Sequence, residues 1–76
     1  MQENDIKKLI ISAVANSAIE VRIEGSHVHL VVVSTEFEGL SAVKRQQKVY
    51  AALAATIASG AIHAVHMKTY TPAERP

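Results

Sequence analysis

The sequence predicts a two-layer α+β domain. Two helices should cover one face of a three-stranded mixed sheet, in the order α–β–β–α–β. Three observations predict it. Apolar residues recur at helical spacing over 6–14, and helix formers dominate 42–59. Two runs of strand character, 19–23 and 28–33, are separated by a short Gly-Ser turn. A third such run follows Gly60, and the helical segment before it is long enough to make the second and third strands parallel.

Each element has a local cause. Asn4 is the expected cap of the first helix, with Glu3 and Asp5 near the positive end of its dipole. Ile6, Leu9, Ile10, Ala13 and Val14 form its apolar stripe, ending near Asn16–Ser17. Ile19, Val21 and Ile23 alternate with Glu20, Arg22 and Glu24, the pattern of a half-buried strand. Gly25 is suited to the turn, and the β-branched run in "VHLVVVS" makes the second strand. "TEFEGLS" reads as a loop hinged at Gly39, with Ser41 as the next helix cap. Val43, Val49, Tyr50, Leu53 and Ile57 should form the buried side of the second helix, and Gly60 should end it. "AIHAVHMKTY" is the third strand, and residues 71–76 read as a tail. No repeat or second composition appears, so 1–76 is read as one domain.

The totals exclude several function classes. At 76 residues the chain buries only about 60% of its unfolded surface, a marginal core. It contains no cysteine, so neither a disulfide nor a thiolate metal site is available, which fits a reducing cytoplasm. No apolar run approaches the ~20 residues that span a bilayer, so no membrane association is expected. The net charge of +1 gives no strong pull toward nucleic acid. No nucleophile–base set or phosphate loop is present, Glu36 and Glu38 read as solvating loop residues, and the chain is expected not to be an enzyme.

Four histidines are the unusual feature. If 61–69 is a strand, His63 and His66 point to opposite faces, so their HxxH spacing is not a chelating pair. His63 would then share a face with Ala61, Val65 and Met67, and His66 with Ile62, Ala64 and Lys68. Parallel second and third strands start at the same edge of the domain. His27 is at the start of the second strand or in the loop before it, and His63 is near the start of the third; if the two strands are neighbours, a backbone spacing of about 4.8 Å brings both imidazoles within reach of one metal centre. Two imidazoles leave a metal unsaturated, so a partner would complete the site. His29 lies on the same face as His27 and is a rival ligand. The residues alone leave an ordinary solvated role open for each.

At "GSH…VVVS…FEGLSAVKRQQKVYAAL…IHAVHMKTYTPAE", Gly25 to Glu74, the chain resembles the BolA family, in particular its IbaG-like bacterial branch. Phe37-x-Gly39, the basic "KRQQKVY" helix, and "IHA" followed by "KTYTPAE" carry the resemblance through their order and spacing. It implies a fold similar to a class II KH domain. It also implies a partner, a monothiol glutaredoxin of the CGFS type, with which a two-iron two-sulfur cluster is shared. The "HA" histidine, here His63, and the loop histidine of "GSH", here His27, would hold one iron. The glutaredoxin cysteine and glutathione would hold the other. Arg75 stands where the family tail often has tryptophan. Alone, the chain would be a monomer or a weak homodimer.

The resemblance also carries an alternative, a DNA-binding transcriptional regulator. Lys44, Arg45 and Lys48 fall within about 100° on the second helix, and 41–59 contains no acidic residue to offset them. Such a patch suits phosphates or an acidic protein surface. The GXXG loop of nucleic-acid-binding KH domains is absent, and Tyr50 and Tyr70 offer little stacking surface.

Overall fold

The computed structural model describes residues 2–75. Acidic residues in the first turn set the start of α1 (Glu3–Ala13). The Asp5 carboxylate accepts the Gln2 backbone N–H at 3.1 Å, so the cap is Gln2 and not Asn4. Ile6 and Ile10 are buried, and the helix stops at Ala13, short of the expected Asn16–Ser17. Val14 then turns extended, and Asn16 takes φ 52, reversing the chain into the sheet.

Strand β1 (Ser17–Glu24) pairs antiparallel with β2 (His27–Ser34), and β2 pairs parallel with β3 (Ala64–Tyr70). The order across the sheet is β1-β2-β3, a mixed sheet with β2 central. Only Gly25 and Ser26 separate β1 from β2. Gly25 takes φ 61 at the first turn position, which a type II′ hairpin requires and a side chain would resist.

The link from β2 to α2 (Ala42–Ala58) is more ordered than a plain loop. Thr35–Phe37 forms one 3₁₀ turn that delivers Phe37 fully into the core. Buried Ser34 fastens this corner: its hydroxyl donates to the Ala15 carbonyl at 2.6 Å and accepts from the Glu36 N–H at 3.1 Å. Ser41 caps α2 as expected, accepting the Lys44 N–H at 3.3 Å. At the far end Gly60, φ 83, donates to the Ile57 carbonyl at 3.1 Å, the left-handed exit common after helices.

The core lies between the helices and one sheet face. It joins Ile6, Ile10 and Val14 to Val28, Leu30, Val32, Phe37, Val49, Leu53 and Ile62. Ile19, Val21, Ile23, Val65 and Met67 pack against it, so one face of every strand is covered. The other face carries no helix. By register it presents Glu20, Arg22 and Glu24 from β1, His27, His29 and Val31 from β2, and Ala64, His66 and Lys68 from β3.

Two expectations about packing need correction. On α2 only Val49 and Leu53 are buried; Val43, Tyr50 and Ile57 are exposed by 62%, 41% and 36%. The helix meets the core along a narrow line, and these three residues lie beside it. The third strand begins at Ala64, not at Ala61. Residues 61–63 form a bend, so strand alternation does not apply to them. Ile62 turns inward to 2% exposure and does not share the open face with His66.

Candidate metal centre and open sheet face

The two histidines predicted as ligands sit at one junction of the fold. His63 is in the bend just before β3, and its backbone N–H donates to the Ser26 carbonyl at 2.9 Å. That bond ties it to the hairpin turn immediately preceding His27. His27 itself is paired in register with Ala64. The segments Ser26–His27 and His63–Ala64 thus lie side by side, and both imidazoles are exposed. The parallel crossover brings the two backbones together, although His63 gets there from a bend and not from the strand.

The remaining two histidines form a feature the sequence reading missed. His29 and His66 are direct partners across the β2–β3 ladder. Their rings stack with centroids 4.7 Å apart and planes inclined by 13°. The same His66 ring also stacks on His27, at 5.8 Å and 22°. Three imidazoles therefore form a column on the open face, with His66 in contact with both β2 histidines. Glu24 approaches His29 loosely, Oε2 to Nε2 3.8 Å, while also pairing with Arg22 at 3.2 Å. A shallow cleft of about 580 Å³ follows this face, lined among others by Glu20, Arg22, His29, His66 and Lys68. Its mixed charges and open shape contain no nucleophile–base pair.

The donor set suits half of a coordination shell. Among the described residues no three His, Cys, Asp or Glu side chains gather around a common point. His27 and His63 lie on adjacent backbones with exposed side chains, and two imidazoles are fewer donors than a metal ion such as zinc takes. The sequence has no cysteine to compete, and among the described residues no carboxylate is hydrogen-bonded to either ring.

The basic patch is smaller than its sequence suggests. Lys44 is exposed and Lys48 half-buried. The Arg45 side chain, only 12% exposed, is engaged within the chain. Its Nε donates to the Leu40 carbonyl at 3.0 Å, and its two terminal nitrogens grip the Glu74 carboxylate at 2.6 and 3.3 Å. Its guanidinium carbon sits 5.9 Å from the Phe37 ring centroid. Glu74 also accepts the Thr71 N–H at 2.9 Å, so the segment after β3 is a docked turn. The Arg45 hydrogen bonds and then the Thr71 N–H hold the Glu74 carboxyl down at about 2, from an ordinary 4.5. Of the three patch residues, Lys44 and Lys48 have no ion-pair partner among the described residues and can meet an anionic surface.

Comparison with known proteins agrees with this architecture. The family model for BolA-like proteins matches residues 7–74. The acid stress protein IbaG of Escherichia coli is 42% identical over 74 residues, spanning 97% of this chain and 88% of that protein. Among solved structures, a bolA protein homologue from Coxiella burnetii superposes with a TM-score of 0.83 at 37% identity, covering 97% of this chain and 95% of that one. The BolA domain of SufE1 from Arabidopsis thaliana superposes with a TM-score of 0.86 at 27% identity, covering 99% of each chain. No helix among the described residues is long and apolar enough to cross a membrane. From the match over 7–74 and the near-full-length identity to IbaG, the chain belongs to the BolA-like family.

Proposed function

We propose that this chain is a non-enzymatic partner of a monothiol glutaredoxin, to which it contributes His27 and His63 as ligands of one iron of a shared two-iron two-sulfur cluster. One observation carries the reading: the bond from the His63 N–H to the Ser26 carbonyl sets the two exposed imidazoles at one edge of the domain. His27 is favoured over His29 by position. His29 lies two residues further along β2, about 6.6 Å from His27 at strand spacing, and so further from the bend that carries His63. Family membership supports a common role, and an E. coli relative is named an acid stress protein.

The chemistry follows from neutral imidazole. Held by His27 and His63 on one iron, a two-iron two-sulfur cluster would supply one-electron chemistry at a potential above that of an all-thiolate one, as in Rieske centres. A metal–imidazole bond requires an unprotonated nitrogen, so acid should loosen an assembly held in this way. That property suits a component of iron–sulfur homeostasis that responds to acid stress in the cytoplasm.

The test is a titration of the chain into cluster-loaded monothiol glutaredoxin with glutathione, followed by visible absorption and circular dichroism. A spectrum that changes and saturates at one-to-one, and does not change with a folded His63→Ala variant, is the expected result. An unchanged spectrum with no complex on size exclusion would remove the proposal. It would leave the DNA-binding alternative, which now rests on Lys44 and Lys48 without Arg45.

A further inference from the structure

We propose that His66 is a positioning residue for His27: its ring, braced by His29, holds the His27 imidazole in a fixed orientation on the open sheet face. The inference rests on the reading of His27 as a ligand and extends it to a residue outside the ligand set. A ligating histidine usually gives its second ring nitrogen to a carboxylate or carbonyl, which fixes the ring. Among the described residues His27 has no such hydrogen bond. Its partner in β1, Glu24, is turned to Arg22 at 3.2 Å, and its partner in β3 is Ala64, whose methyl cannot brace a ring.

The contact that does brace it is the stack. His66 lies two residues along β3 from Ala64 and reaches His27 diagonally across the ladder, a distance that aromatic rings bridge on one sheet face. His66 is fixed in turn by the closer, flatter stack on His29. Sheet register sets all three rings on one side, so the column is a product of backbone pairing and needs no charge. Near-parallel rings send their in-plane nitrogen lone pairs side by side. His66 and His27 therefore do not converge on one ion in this geometry, which makes His66 a support and not a third ligand.

The experiment compares His66→Ala and His66→Phe with the unaltered full chain, because phenylalanine keeps the stack and has no nitrogen. Imidazole nitrogen and proton NMR of the metal-free protein reads the His27 ring directly. Its ring protons should carry ring-current shifts that vanish in His66→Ala and persist in His66→Phe. In the complex with cluster-loaded glutaredoxin, His66→Ala should lose its cluster about two- to tenfold faster, the range expected for one ring–ring contact, and His66→Phe should restore the rate. A His27 ring unmoved by His66→Ala, or a His66→Phe variant with intact His27 shifts that loses its cluster as fast as His66→Ala, would overturn the inference. Failure of the unaltered chain to share a cluster would overturn the ligand reading and this inference with it. The metal-free spectra distinguish that failure from the absence of the stack.

Discussion

The Arg45 guanidinium holds the Glu74 carboxylate by two hydrogen bonds, 2.6 and 3.3 Å, between residues 29 apart in sequence. The same carboxylate oxygen that takes the shorter bond also accepts the Thr71 N–H, so one clasp joins the start of α2 to the turn after β3. The geometry is the planar fork-to-fork pairing that lysine cannot reproduce.

The clasp should resist mild acid. Glu74 has a pKa lowered from 4.5 to about 2 in the folded chain. A depressed carboxylate contributes its full stabilisation above its unfolded value and loses it as the pH falls through the folded one. Glu74→Gln should therefore lower the melting temperature by a constant amount above about pH 5. The gap from the unaltered chain should close between about pH 4.5 and 2. Thermal melts across that range check this, and a gap that does not narrow would refute the charge-based clasp.

Arg45→Lys should loosen the same turn although its charge is kept. The expected outcome is faster amide exchange at Thr71 and Glu74, with β2 and α1 unchanged. Uniformly faster exchange through the core would instead mean that Arg45 matters chiefly by packing on Phe37.

Phe37 is the largest fully buried side chain, supplied by a single 3₁₀ turn. Phe37→Ala should cost about 3–5 kcal/mol, which in so small a domain approaches its whole stability. Ser34→Ala, which leaves the Ala15 carbonyl without its 2.6 Å partner, should cost about 1–3 kcal/mol. Urea unfolding of each variant measures both; a larger cost for Ser34→Ala than for Phe37→Ala would contradict the packing described for this corner.

If DNA binds at all, Lys44→Glu with Lys48→Glu should abolish it. The salt dependence of the unaltered chain should then correspond to about two phosphate contacts, not three, because Arg45 is engaged elsewhere. Fluorescence anisotropy at several salt concentrations gives the slope, and a slope near three contacts would mean that the clasp opens on DNA.

Much of the fold was legible because its signals are local. The Ile19, Val21, Ile23 alternation, the Ser41 cap and the Gly60 exit each depend on neighbours in sequence, and each is found as read. The shared edge of His27 and His63 was also legible, since a helical crossover between parallel strands dictates it. What escaped the reading depends on distant geometry. No turn fixes the offset of β2 against β3, so the pairing of His29 with His66 was invisible. Arg45 looked like part of a basic face because nothing local announces Glu74 as its partner. Val43 and Tyr50 were misplaced because helical spacing gives a stripe but not the width of the surface that covers it.

The most direct measurement of the central claim is pulsed EPR on the reduced cluster shared with glutaredoxin. Two histidine nitrogen couplings should appear, one lost in His27→Ala and the other in His63→Ala, with both retained in His29→Ala. A reduced cluster with no imidazole coupling, or one whose couplings vanish only with the His29 change, would contradict ligation by His27 and His63.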